Sequence, residues 1–600
     1  MNYLKKTLLN TWEFLRNTQA YFRDVLLMHG FILFGLLPLL SSSTKFILKR
    51  GNISYLSNEN IGEILTQHPA VALLLGLTLL FILLAVFFEF TFLLLSVYFI
   101  QQKEAVSLKQ LLKMTLLQMK KIRPSVILFF IFYFLLVLPI GGLNFNSDLL
   151  SRIKLPAFIM DFIFTNRLWV VSAFIIGYLI LVYLGIRVIF ALPEMILRDR
   201  SFGAAVKESW EVTQRRFFSI IGRFLFIIGS ILLITTAGTT LVIALQAGVE
   251  HFLPDQALNT AIFAMTFLQF FFLLNLVLST VGIFAIIVDY MADEGFLPAI
   301  PKWFYREPLK PVTHRHLKNS LMVALAIFFG IGVSIYNMNY LTNMSQKIPI
   351  TASHRGVSDK NGVQNSLQAL TATHNHYHPD YIEMDVQLTK DKQFLVAHDF
   401  NLARLTGQAL RPEEATLAES LALTVTENGK QAPLVSFDDY LATAEALQQK
   451  LIVEIKLKKA DPVEIATLFV NRYGSRLQAD GSLVQSLSYP VVEEVKTLTP
   501  NLTVGYTLPF NIVGPPVTKA DFLTMEYSTI NRNFIESAEN DGKQVFVWTP
   551  NSEDDISRMM FYGVDGIITD SMATLNRVIE QRQDQTTYSD KLLNFVIGIG

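Results

Sequence analysis

Two acids one residue apart, Glu383 and Asp385, lie in the apolar run YIEMDV, and a His-Asp pair, His398-Asp399, follows. On an extended strand residues i and i+2 share a face, so the two carboxylates are expected side by side with Tyr381. Like charges aimed into an interior are costly unless a cation or hydrogen bonds compensate them. The segment LIVEIKL repeats the spacing with Glu454 and Lys456, and His354-Arg355-Gly356 closes another short β-rich run. Three carboxylates converging on one mouth would suit a hard divalent cation. His354 and His398 could exchange protons with a substrate, and Arg355 and Lys456 could neutralise phosphate oxygens. These are the parts of a metal-assisted phosphodiester cleavage.

Such residues need a frame that brings strand ends together. From residue 346 onward short β-rich runs (PITASH, YIEMDV, FLVAH, LIVEIKL, SLVQSLS, LTVGYTL, FLTMEY, QVFVWT, DGIITD) alternate with helical segments such as 462–473, 490–498 and 552–562. This is the pattern of a TIM-type βα barrel, an α/β fold whose catalytic groups sit at the carboxyl ends of the strands. Nine runs exceed eight strands by one, and FLVAH is expected to be the extra piece, in a hairpin or loop.

The first half of the chain is of another kind. With 51% hydrophobic residues and 47 Phe, the whole is too apolar for a purely soluble protein. Its zero net charge hides a division: residues 1–345 hold 28 Lys/Arg against 18 Asp/Glu, and 346–600 hold 22 against 32. Stretches near 25–47, 71–100, 124–143, 168–192, 217–248, 260–290 and 318–340 are long enough to cross a bilayer, which needs roughly 20 residues. Lys and Arg concentrate in the N-terminal segment and in every second loop after it, so those loops are expected in the cytoplasm. Seven spans then place everything after residue 345 outside. LKKTLLNTWEFLRN, LKQLLKMTLLQMKK and AAVKESWEVTQRR, about a hundred residues apart, suggest three units, each an interfacial amphipathic helix followed by a membrane hairpin. Glu89 is the ionisable residue deepest in the spans, and a structural pair with Arg187 is expected, the alternative being a lipid-headgroup or transport site; Arg223 and Asp289, nearer the ends, should snorkel or cap.

In the second half SHRG, QNSLQAL, IEMDVQLTKD, VAHDFNLARLTG, VEIK, VQSLS, VFVWTPN and DGIITD occur in an order that resembles the glycerophosphodiester phosphodiesterase family over roughly 349–580. The first half looks like the membrane domain that accompanies this family in some Gram-positive bacteria. The resemblance implies that His354 and His398 are the general acid and base and that Glu383, Asp385 and Glu454 hold one divalent cation, Ca²⁺ or Mg²⁺. Arg355 and Lys456 would bind phosphate, and Trp548 would line the substrate pocket. The glycerol 2-hydroxyl would attack phosphorus, and water would open the resulting cyclic phosphate to glycerol 3-phosphate. One departure stands out. Where the family usually has Glu-Asn after His-Arg-Gly, this chain has Gln364-Asn365, which keeps the hydrogen bonds and loses a charge next to the proposed ligands.

The chain is therefore expected to hold a polytopic membrane domain over 1–345, a phosphodiesterase barrel over 346–585 and a tail over 586–600. Its partners would be the bilayer and a glycerophosphodiester, such as a lipoteichoic-type polyglycerolphosphate or a lysophospholipid. A different reading makes the outer half a non-catalytic sensor attached to a lipid-binding or transport protein; a third keeps the chemistry but turns it on choline-bearing lipids. Nucleic-acid binding has no support, because the basic residues lie between apolar segments rather than on one folded face. The absence of cysteine excludes disulfides and thiolate metal sites. His374, His376 and His378 in THNHYHPD are expected at a helix end or loop rather than around zinc, since i, i+2 residues do not share a helical face. The tail LLNFVIGIG is too short to span and is expected to pack on the domain or the membrane surface.

Overall fold

The β-rich runs form a closed barrel. The structure, a computed structural model, describes residues 18–599 apart from 57–59, 105, 138–155, 167, 215, 301–314, 344–346, 459–460, 462, 512–513 and 584–586. Eight parallel strands, β1 (Ile350–Ser353), β2 (Tyr381–Leu388), β7 (Lys450–Ile455), β8 (Leu483–Ser486), β9 (Val504–Leu508), β10 (Phe522–Glu526), β11 (Gln544–Trp548) and β12 (Gly566–Thr569), pair in chain order, and β1 closes on β12 and on β2. FLVAH is the short β3 (Phe394–Val396), antiparallel to β2, and β3 in turn pairs with β6 (Val435–Ser436). Between them β4 (Thr424–Glu427) and β5 (Lys430–Pro433) form a separate hairpin. Its turn residues Asn428 and Gly429 both have positive φ, 54° and 73°, as a two-residue hairpin loop of the Asn-Gly type requires.

Strand alternation sorts the side chains. Ile382, Met384 and Val386 face outward into the large apolar layer shared with the surrounding helices. The inward positions form two levels. The lower level is apolar: Ala352, Ile452, Leu483, Phe522, Phe546 and Ile568 cluster together. Glycine is required there, because a Cβ on Gly505 would lie 2.2 Å from the Phe522 ring. Toward the carboxyl ends the same faces carry Glu383, Asp385, Glu454, Gln485, Thr507, Thr524 and Glu526, all buried. A buried polar level above a packed apolar plug is where a barrel keeps its chemistry.

Contacts divide the chain into two units, Met1–Ile47 with Pro69–Asn343 and Leu48–His68 with Met344–Gly600. Within the second, Tyr55 stacks on Tyr489 with centroids 4.1 Å apart, and the C-terminal helix Tyr588–Ile599 buries Phe595 beside Phe561. The three histidines of THNHYHPD fall at the end of helix Leu367–Tyr377, with His378 as its left-handed cap.

In the first unit five helices among the described residues are long and apolar enough to cross a membrane: Tyr21–Arg50, Pro69–Gln101, Leu168–Leu197, Phe217–Phe252 and Pro254–Asp293. The stretch 124–143 is described only as helix Pro124–Val137, and 318–340 lies within helix Arg315–Asn343. Two of the three amphipathic repeats are helices, Leu108–Gln118, opened by a Ser107/Gln110 capping box, and Phe202–Gln214; the first lies outside the described residues. The expected Glu89–Arg187 pair does not form. Arg187 instead lies over the Trp210 ring, 4.4 Å from its centroid, because helix Phe202–Gln214 packs against the end of helix Leu168–Arg187. Arg223 pairs with Asp293 at 2.8 Å, and Asp289 accepts a hydrogen bond from Gln101 at 2.7 Å.

Candidate active site

The strand register explains why the acids meet. On neighbouring strands Asp385 stands opposite Glu454, and Glu383 lies two residues below Asp385 on the same face. Just past β1 the chain turns sharply. Arg355 takes a positive φ of 53°, which aims its backbone N–H at Glu383 Oε2, 2.9 Å away. Gly356 must be glycine, since its φ is +69° and a Cβ would stand 3.0 Å from the Tyr440 hydroxyl. Asn365, also at positive φ, donates its backbone N–H to the Arg355 carbonyl and its Nδ2 to Asp385 Oδ2 at 3.0 Å.

Charges alternate around this floor. Lys456 Nζ is 3.0 Å from Glu454 and 3.8 Å from Asp385, and Arg355 Nε is 3.7 Å from Asp385. Gln485 Nε2 donates to the other Glu454 oxygen at 3.1 Å, and Thr524 orients Gln485. Burial alone would raise the Asp385 carboxyl, but the charges of His398, Lys456 and Arg355 and the Asn365 hydrogen bond hold it well below the usual range. Glu383 goes the other way. Burial and then the negative charges of Asp385 and Glu454 push it well up, against partial relief from Arg355. Burial alone would lower the proton affinity of Lys456, yet Glu454 and Asp385 hold it above the ordinary value. Three buried acids thus face two partly buried bases. Among the described residues no three of His, Asp and Glu already stand at metal-ligating separation; the carboxylates are neighbours turned toward protein donors.

Each candidate proton carrier has its own aspartate. His354 Nδ1 donates to Asp570 Oδ1 at 2.8 Å, and Asn551 donates to the other Asp570 oxygen at 3.0 Å. His398 Nδ1 donates to Asp399 Oδ1 at 2.9 Å, and Arg404 holds the second oxygen of Asp399. A carboxylate only accepts hydrogen bonds, so in both rings Nδ1 carries the proton and Nε2 is left for a substrate. Burial pushes the His398 imidazole down; Asp385 opposes, while Lys456 and Arg355 add to the push.

A cleft of about 680 Å³ opens on the His354 side of the site, lined by His354, Arg355, Lys360, Gln364, Glu427, Asn428 and Asp570 among others, nearly all polar; His398, Lys456 and the three carboxylates are not among its lining residues. Trp548 ends β11 with its ring against the apolar lower level, and it is not among the residues lining the cleft. Sequence reasoning missed Asp570 and Asn551, whose partners are distant in the chain, and Glu427. The last is the more instructive. Gln364 donates its backbone N–H and its Nε2 to the two Glu427 oxygens at 2.8 and 2.7 Å, while its Oε1 accepts from Arg355 Nη1 at 2.8 Å. The carboxylate missing at 364 is thus present one residue away in space, on the β4–β5 hairpin. The Asn-Gly turn of TENGKQ could have revealed that hairpin, but not its position.

Comparison with known proteins shows the family. The family model "Membrane domain of glycerophosphoryl diester phosphodiesterase" matches residues 8–336, and that of the glycerophosphoryl diester phosphodiesterase family matches 354–574. A glycerophosphodiester phosphodiesterase of Caldanaerobacter subterraneus is 27% identical over 252 residues, covering 39% of this chain and 98% of that one. The human lysophospholipase D GDPD3 is 23% identical over 274 residues, 38% of this chain and 84% of its own. Among solved structures, an Oleispira antarctica phosphodiesterase in complex with the product sn-glycerol-3-phosphate is 19% identical with a TM-score of 0.36, over 39% of this chain and 97% of the other. The chain belongs to the glycerophosphoryl diester phosphodiesterase family, in the form that carries this membrane domain, and is a hydrolase of glycerophosphodiesters.

Proposed function

We propose that the barrel cleaves glycerophosphodiesters at the outer face of the cell membrane, with His354 and His398 as acid and base, and releases glycerol 3-phosphate and an alcohol. The observation that carries the reading is the pair of imidazoles, each oriented by its own aspartate, beside three buried carboxylates and two partly buried bases at one barrel mouth. Glu383, Asp385 and Glu454 would hold a divalent cation, Ca²⁺ or Mg²⁺. The donor set fits it, being all oxygen, and a cation would relieve the burial and carboxylate repulsion that raise the Glu383 proton affinity. When bound, the cation supplies charge stabilisation at the phosphate.

The side chains divide the remaining work. Arg355 and Lys456 take the non-bridging phosphate oxygens. His398, kept neutral by burial, accepts the proton of the glycerol 2-hydroxyl as that oxygen attacks phosphorus. His354, carrying a second proton on Nε2 for this step while Nδ1–H stays on Asp570, donates that Nε2 proton to the departing alcohol oxygen. In the second half the roles reverse: His354 takes a proton from the water that opens the cyclic phosphate, and His398 returns one to the 2-oxygen. Glu427, through Gln364, fixes the Arg355 guanidinium in the plane that phosphate requires.

The polar lining of the cleft favours a hydrophilic glycerophosphate, of the lipoteichoic type or a free head group, over the acyl chain of a lysophospholipid. The outer location is supported by the alternation of basic and neutral loops. It is also supported by residues 48–68, between the first two spans, which group with the barrel. Purified protein should release glycerol 3-phosphate from glycerophosphodiesters and polyglycerolphosphate with Ca²⁺ or Mg²⁺ and lose this activity in chelator. Turnover that survives both chelator and His354→Ala would refute the assignment.

A further inference from the structure

Arg187, the last residue of helix Leu168–Arg187, is one of the largest fully buried side chains in the molecule. Four other arginines of the first unit reach a carboxylate: Arg23 that of Asp24, Arg198 that of Glu194, Arg216 that of Glu294 and Arg223 that of Asp293. Arg187 reaches none among the described residues, and its buried Nε has no hydrogen-bond partner. Its guanidinium faces aromatic rings instead, 4.4 Å from the Trp210 centroid and 5.9 Å from that of Tyr183.

The arrangement is pinned in place. Helix Phe202–Gln214 buries Ala205, Ser209 and Thr213. Ser209 Oγ and Thr213 Oγ1 donate to the Arg187 carbonyl at 2.8 and 3.4 Å, and Ser209 Oγ accepts from Phe190 N–H at 3.1 Å. Trp210 follows Ser209 and is thereby held over the guanidinium. Trp210 and Tyr183 themselves are 38% and 45% exposed, so the aromatic collar opens to the surroundings at the end of an apolar helix.

A buried charge without a counter-charge is strongly unfavourable, and a cation–π contact returns only part of the hydration it has lost. The described residues supply no counter-anion, so an anion from outside the chain would complete the site. Guanidinium is planar and weakly hydrated and matches phosphate oxygens two at a time, while Trp and Tyr concentrate where lipid head groups lie. We propose that Arg187, with Trp210 and Tyr183, forms a binding site for the phosphate of an anionic membrane lipid. The site depends on the first unit being a membrane domain and not on the chemistry of the barrel.

The test uses the full chain, delipidated in a neutral detergent. It is titrated with brominated phosphatidylglycerol, brominated phosphatidylcholine, inorganic phosphate and glycerol 3-phosphate, following melting temperature and tryptophan quenching, with Trp210→Phe identifying the Trp210 signal. Phosphatidylglycerol should quench Trp210 and raise the melting temperature, and Arg187→Met should raise its half-saturating concentration at least tenfold. Arg187→Lys, which keeps charge but loses the planar fork, should lie between. Without lipid, Arg187→Met should melt no lower than the wild type, because it removes an uncompensated charge. Equal half-saturation in the wild type and either variant overturns the proposal. So does lipid-free Arg187→Met melting well below the wild type, which would mark a partner inside the chain. Equal quenching by phosphatidylcholine, or saturation by either soluble phosphate, overturns the assignment to an anionic lipid.

Discussion

His398 and Glu383 are perturbed by the same burial in opposite chemical senses. For the imidazole, burial disfavours the cation, so its proton affinity falls; for the carboxyl, burial disfavours the anion, and Asp385 and Glu454 reinforce the effect. The sign for catalysis follows. A base with a lowered pKa remains unprotonated below the ordinary histidine value of about 6.5. The acid limb of kcat/KM should therefore have its midpoint below that value. Asp399 raises the His398 affinity through its hydrogen bond, so Asp399→Asn should move the limb lower still while reducing kcat, because the ring loses its orienting acceptor. A pH profile of both proteins on a simple glycerophosphodiester checks this, and an acid limb above 6.5 in the wild type would contradict it.

Among the elements, the β4–β5 hairpin is the least expected contributor. It pairs with no barrel strand, yet Asn428 Nδ2 donates to the Gly362 carbonyl at 3.0 Å and Glu427 receives both Gln364 donors. The loop after β1 and the hairpin thus form one wall of the cleft. Glu427→Ala should lower kcat/KM by about tenfold, the equivalent of one charge-assisted hydrogen bond, with little change in melting temperature. Adding Gln364→Glu to that variant should restore most of the loss, because the carboxylate then returns beside Arg355 from the other side. Steady-state kinetics of the single and double variants decide it. Equal loss in both would reduce the hairpin to a structural support.

At the scale of the whole molecule, an apolar half with basic loops is joined to an acidic barrel. Charge asymmetry between short loops orients spans, whereas long folded domains follow wherever the spans leave them. With the barrel outside, protease added to intact cells should remove it while leaving a membrane-embedded fragment of the first half. The same protease should reach the loop 198–216 only after the membrane is opened. Immunoblotting with one epitope in each region reads both outcomes, and protection of the barrel in intact cells would reverse the proposed orientation.

Much of this was legible in the residues because local rules carry it. Strand alternation put Glu383 beside Asp385 and Glu454 beside Lys456, and nine β-rich runs with one in excess gave eight strands and a hairpin piece. Apolar length alone marked most of the spans. What only the tertiary structure decided are partnerships between residues distant in sequence: Asp570 behind His354, Glu427 beside Gln364, and Trp210 rather than Glu89 over Arg187. Periodicity fixes which face a side chain takes, a property of a few neighbouring residues. Which groups then meet depends on how the barrel closes and the helices pack, and those contacts leave no trace in local spacing.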